Sequence, residues 1–389
     1  MNSKNSLEGM ILQSNPAAVV EKLRPQIDEA VARVLGSGRY ILGSEVEKFE
    51  YEWAKWCEVD HAVGCANGTD GIELILRSLR LDTKSRVLAP SHTAVATIAG
   101  IVRAGFRPYL ADIDPVTYTL DPRSVERSIE SAHDEGDPIK ALIAVHLYGQ
   151  PCDMDALKDI STKYGIVLVE DGSQAHGAKW RGKRIGSFGV AAAFSLYPTK
   201  NLGAVGDAGV VTTNSQDLAN SMQQIRQYGW REQGISEVPG INSRMDPIQA
   251  AILRVKLNFL EEHNMQRSNI SRIYNRHLER CNGIGLPQGA NDKAEPVYHQ
   301  YVVQIPKNKR DGIRNKLAEK GIGTLIHYIK AAHQMPAYKN KDWVGIDPNG
   351  LKATESILPN ILSLPMGPHL TNNQANKVGR ELSNLLKNQ

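Results

Sequence analysis

One lysine, one aspartate and one glycine-bearing turn stand out as groups able to do chemistry, and each follows a short apolar run. Lys200 lies in Phe194-Ser195-Leu196-Tyr197-Pro198-Thr199-Lys200-Asn201-Leu202-Gly203, shortly after such a run and before a glycine. A lysine desolvated there has a lowered pKa, and its free amine is a nucleophile. The same residue also reads as a surface lysine in a glycine-rich loop. Asp171 ends the run Ile166-Val167-Leu168-Val169-Glu170, where a carboxylate is costly unless a cation faces it. It also reads as a cap on the next turn. The turn Asn67-Gly68-Thr69-Asp70-Gly71 opens a helical pattern. Free backbone N–H groups, a hydroxyl and the positive end of the helix dipole make a small phosphate site, although plain helix capping, with Asp70 as the cap, explains the same residues.

Taken in chain order, these are a phosphate cradle, a strand-end carboxylate and a Ser-x-x-x-x-Lys. They supply phosphate binding, a partner for a protonated pyridine nitrogen and a Schiff-base amine, which is what pyridoxal phosphate requires. Gly203, Gly206 and Gly209 do not form GxGxxG, and GKS or GKT is absent. Neither a dinucleotide fold nor a nucleotide-hydrolysing loop is supported.

Positioning these groups requires a sheet. The runs His61–Ala66, Ser85–Pro90, Arg107–Asp112, Lys140–His146, Gly165–Glu170, Val190–Tyr197 and Ala208–Thr213 are apolar at most positions, as strands covered on both faces are. Helical patterns at Asp70–Arg80 and Asp155–Lys163 lie between them. The alternation predicts an α/β fold with a mixed, mostly parallel sheet sandwiched by helices. Pro198–Asp207 is too short and glycine-rich for a crossover helix, so the run after it should pair antiparallel. Beyond Asp246 the pattern predicts a helix over Pro247–Glu262 and a further helix to about Arg280. After these come strands at Tyr298–Ile305 and Gly321–Ile326, a helix at Asp311–Lys320 and a last helix at Asn373–Leu386. The predicted division is a large domain over 1–265 and a smaller α+β domain over 266–389.

The 389 residues are 41% hydrophobic and 23% charged, which excludes disorder as the dominant state. Net charge is +4 with no basic stripe, which argues against nucleic acid as a partner. Cys57, Cys65, Cys152 and Cys281 form no CxxC, so a metal cluster is not expected and the thiols suit a reducing compartment. No apolar run reaches the roughly 18–20 residues of a membrane span, and the N-terminus lacks a signal core. A cytoplasmic protein is expected.

The chain resembles the DegT/DnrJ/StrS sugar aminotransferases of pyridoxal phosphate fold type I. The resemblance rests on GRYILGSEVEKFE, ANGTDGIELILRSL, DIDPVTYTLDP, AVHLYGQPCDMDAL, VEDGSQAHGA, FSLYPTKNLGAVGDAGVV and NSRMDPIQAAIL. It implies that Lys200 joins the cofactor and shuttles protons, that Asp171 pairs with the pyridine nitrogen and that Gln174 sits near the 3′-oxygen. Ser195 and the backbone of Gly68, Thr69 and Asp70 would hold the phosphate, with Asn242 reaching it from the neighbouring subunit of a homodimer. His299, His327 and Tyr328 match positions near the sugar. Many relatives stack an aromatic residue on the cofactor ring where this chain has Ala94, and His92 is the candidate replacement. The implied reaction moves an amino group from L-glutamate, through pyridoxamine phosphate, to a nucleotide-linked keto sugar. The blocks lean towards a 3-keto-6-deoxyhexose linked to dTDP or UDP. The alternatives are a 4-keto-sugar aminotransferase, a sugar dehydratase (which would carry histidine in place of Lys200) and a non-catalytic regulatory protein.

Overall fold

In the computed structural model, which describes residues 9–82 and 84–387, the seven apolar runs each become a strand of one sheet. Across that sheet the order is His61–Cys65, Gly209–Thr213, Ala191–Ser195, Val167–Asp171, Ile139–Val145, Arg86–Pro90, Arg107–Ala111 and a short edge strand, Gly345–Ile346. Gly209–Thr213 runs antiparallel to both of its neighbours. The remaining pairings are parallel. The cause is the connection predicted from Pro198–Asp207. It holds no helix to carry the chain back across the sheet, so the chain must return against its neighbour.

Strand residues alternate between two cores. Ala141, Ile143 and Val145 enter one, while Leu142 and Ala144 enter the other. This is the period-2 geometry of a pleated strand with helices on both faces. All four cysteines are buried and free.

A further core gathers Ile270, Ile273 and Tyr274 from the helix Leu260–Leu278 with Tyr301, Val303, Leu362 and Val378. Ile11 belongs to it too. The predicted helix over Pro247–Glu262 is two helices, Pro247–Leu257 and Leu260–Leu278. The break falls at Asn258-Phe259, where Asn258 Nδ2 donates back to the Arg254 carbonyl at 3.2 Å and offers the backbone an alternative to continuing. The strand expected at Gly321–Ile326 is absent. Leu325 makes a single bridge to Ser363, and the ladder partner of Tyr301–Gln304 is Ile361–Leu364. Ile322 instead makes a single parallel bridge to Ile11: the Ile11 N–H donates to the Gly321 carbonyl and the Gly323 N–H to the Ile11 carbonyl, both at 2.8 Å. Among the described residues, no helix is long and apolar enough to cross a membrane and no group of three metal-ligating side chains exists.

Candidate active site

Parallel strands send their carboxyl ends to one edge of the sheet, and ligands of such folds bind there. A cavity of about 520 Å³ lies at that edge. Gly68, Thr69, Asp171, Gln174, Ser195, Lys200, His299, His327 and Tyr328 all line it.

The first corner is the start of helix Gly68–Ser78. Its cap is Asn67, whose Oδ1 accepts the Asp70 N–H at 2.9 Å. Asp70 was the expected cap, but its carboxylate turns away to Arg103 at 2.8 Å and leaves only its backbone at the helix start. A Cβ on Gly68 would stand 2.7 Å from the Ser195 Cβ, so glycine is what brings the helix start against the strand end. The two phosphate-type elements, far apart in sequence, thereby become one corner.

Asp171 sits at the back of the cavity, 5% exposed. Thr97 donates to its Oδ2 at 2.8 Å and the Ser173 N–H to its Oδ1 at 3.1 Å. Thr93 and Thr97 share a hydrogen bond of 2.9 Å that holds the first donor in place. No salt bridge reaches Asp171 among the described residues. A buried, hydrogen-bonded carboxylate with no cation in contact is an electrostatic deficit that a cationic ligand would fill.

Lys200 borders the same space. Burial pulls its amine down from 10.5 to about 8, partly opposed by the Asp171 carboxylate. Burial, with the Lys200 charge second, also holds three histidines neutral: His176 falls to about 3, His327 to about 4, and His299 lies well below its ordinary value. His299 Nδ1 meets Asn201 Oδ1 at 3.2 Å, and Asn201 is anchored on Asn264 at 2.9 Å. His327 Nδ1 meets Ser363 Oγ at 2.8 Å. Gln174 is held from both ends, accepting the Tyr148 N–H at 2.7 Å and donating to the Tyr328 hydroxyl at 3.0 Å. Burial pushes that hydroxyl up to about 12, so it stays protonated.

Three expected residues lie elsewhere. Asp70 does not border the cavity, and its N–H is taken by Asn67 Oδ1. His92 is fully enclosed and does not border the cavity, whose wall there is Thr93 and Ala94. The reason is Tyr148, whose hydroxyl meets His92 Nε2 at 2.8 Å and draws the ring into an aromatic cluster with Tyr118 and Tyr328. Asn242 is exposed and lies outside the cavity of its own chain. Sequence reading missed Thr97, Tyr148 and Arg103. Thr97 lies in the first turn of the helix Val95–Arg103 and Thr93 two residues before that helix starts, so helical spacing did not announce the pair.

Residues 21–383 match the DegT/DnrJ/EryC1/StrS aminotransferase family. The chain belongs to that family. Among relatives of this aminotransferase, dTDP-3-amino-3,4,6-trideoxy-alpha-D-glucose transaminase of Streptomyces venezuelae is 43% identical, covering 93% of this chain and 92% of the relative. The dTDP-3-amino-3,6-dideoxy-alpha-D-galactopyranose transaminase of Aneurinibacillus thermoaerophilus is 40% identical over 92% of this chain and 94% of its own. The crystal structure of S. venezuelae DesV in complex with a ketimine intermediate superposes with a TM-score of 0.91 at 41% identity, covering 97% of this chain and 99% of that one.

The aminotransferases of this family depend on pyridoxal 5′-phosphate. The cavity fits that group: a corner of free N–H groups, a buried carboxylate lacking a cation and a desolvated amine occupy three sides of it. The amine supplies a test. With a midpoint near 8, its reactive neutral form should rise from about a tenth at pH 7 to about nine tenths at pH 9. The rate at which apoprotein captures pyridoxal phosphate covalently, followed by absorbance, should climb across that window. A rate that rises only above pH 10 would show an ordinary, solvated lysine.

Proposed function

We propose that the cavity holds pyridoxal phosphate with its ring nitrogen on Asp171, its aldehyde carbon at Lys200 and its phosphate at Gly68, Thr69 and Ser195. The enzyme transaminates a nucleotide-linked keto sugar. The observation that carries the reading is the pairing, in one cavity, of a cation-deficient buried carboxylate with a desolvated lysine. L-Glutamate is the amino donor by resemblance. A 3-keto-6-deoxyhexose linked to dTDP or UDP is the acceptor favoured by the 3-amino products in the relatives' names.

The cofactor, when bound, supplies the electron sink for the carbanion. Everything else falls to the chain. Asp171, held in place by the Thr97 hydroxyl and the Ser173 N–H, faces the ring nitrogen as its hydrogen-bonding partner. Lys200, once its amine is free, carries the proton between the donor Cα or sugar carbon and the cofactor carbon, at an amine basicity close to neutral pH. Gln174, by resemblance the neighbour of the 3′-oxygen, offers an amide fixed from both ends. His299 and His327, held neutral, act on the substrate as hydrogen-bond partners and not as cations.

Asn242 completes the site from the partner subunit of a homodimer, since it lies outside the cavity of its own chain. Asn242→Ala should weaken cofactor retention by about 10–100-fold, the loss of one hydrogen bond to a charged group. The decisive test is mixing. A heterodimer of Lys200→Ala and Asn242→Ala chains contains one intact site if Asn242 crosses the interface, and activity returns. The mixture is assayed with cofactor kept below what Asn242→Ala needs, so that both parents are inactive; if Asn242 served its own chain, the mixture would stay inactive.

A further inference from the structure

The phosphate corner carries an electrostatic problem. Asp70 and Glu73 lie in the first two turns of helix Gly68–Ser78, with side chains only 7% and 4% exposed. Two buried carboxylates this close to the helix start would repel a phosphate bound there and oppose the attraction of the helix N-terminus. The answer to them is Arg103, the last residue of helix Val95–Arg103. Its Nη1 lies 2.8 Å from Asp70 Oδ1 and its Nη2 2.9 Å from Glu73 Oε2. It borders the same cavity as Gly68 and Thr69. Glu73 has a second partner in Arg77 at 3.1 Å, whereas Asp70 has only Arg103 among the described residues. The approach of the two helices depends on Gly100, where a Cβ would stand 2.8 Å from Ile72 and 3.0 Å from the Thr69 carbonyl oxygen.

We infer that Arg103 is a positioning residue that makes this helix start fit for a phosphate by neutralising Asp70 and Glu73. The inference rests on the cofactor reading of the cavity. It assigns Arg103 a part in selecting the phosphorylated cofactor over its phosphate-free form, acting through the two carboxylates.

The test is equilibrium binding of pyridoxal phosphate and of pyridoxal to apoprotein, read by absorbance. Arg103→Met should weaken pyridoxal phosphate about tenfold or more while leaving pyridoxal within about twofold. Arg103→Lys, which keeps a charge, should retain most of the affinity. Adding Asp70→Asn to Arg103→Met should restore most of what was lost, because the repelling charge is gone. Rescue of that kind separates electrostatic positioning from a fold defect, which would weaken both ligands alike and would not recover. Equal weakening of both ligands, unchanged binding in Arg103→Met, or no recovery in the double variant would each overturn the inference. Wild-type protein that takes up neither compound would overturn the cofactor reading and this inference with it. Wild-type uptake with an indifferent Arg103→Met overturns the inference alone.

Discussion

Lys200→Ala should lose turnover by more than about 10³-fold, since proton transfer by a positioned group alone contributes roughly 10²–10⁴-fold. The substitution should leave the fold intact. The Lys200 ammonium makes no hydrogen bond or salt bridge among the described residues, so truncation orphans no partner. It also removes a desolvated charge. Lys200→Arg should be equally inactive, because a guanidinium stays protonated and offers no free amine. A second readout follows from the neighbours. The Lys200 charge depresses His176, His299 and His327, so their titration should shift upward when it is gone. Circular dichroism and a thermal melt should match wild type. An alanine variant retaining a tenth of the activity would remove Lys200 from the chemistry.

Asp171→Asn is the second large effect. The amide keeps the shape and can still accept from Thr97, but it removes the charge. Breaking a buried ion pair by deleting one partner costs about 3–5 kcal/mol, which is roughly a 10²–10⁴-fold loss in cofactor affinity. The chemical step should fall as well, since the ring nitrogen would no longer be held protonated. A further consequence concerns Lys200. The Asp171 carboxylate raises the lysine amine against burial, so without it the amine should fall below about 8. The pH midpoint for cofactor capture by the apoprotein should move down accordingly. Wild-type affinity together with an unmoved midpoint would place Asp171 outside the site.

The strands were legible because a strand buried on both faces has few polar positions, as Ala141–Val145 shows with residues feeding two cores. The antiparallel return at Gly209–Thr213 was legible from a connection too short to hold a helix. Lys200 and Asp171 were legible because polar groups at the ends of apolar runs demand a reason. What hid was tertiary. His92 is enclosed by Tyr148, which lies 56 residues away, and no local pattern announces that. Asp70 gives up its cap to Asn67 because Arg103, 33 residues on, competes for its carboxylate. The pairing of Tyr301–Gln304 with Ile361–Leu364 spans a long stretch of chain, and the nearer apolar stretch gives its backbone to Ile11 instead. Thr97 was hidden likewise, because its acceptor, Asp171, is fixed only by the sheet.

Lys200 and Asp171 should together support amino transfer from a donor to a nucleotide-linked keto sugar. The most direct test is the absorbance of purified holoprotein, first with L-glutamate and then with a dTDP-linked 3-keto-6-deoxyhexose. The visible band should convert to the near-ultraviolet band of pyridoxamine phosphate, and the keto sugar should restore it with release of the amino sugar. A visible band that glutamate leaves unchanged, or a pyridoxamine form that no nucleotide-linked keto sugar reoxidises, would contradict that expectation.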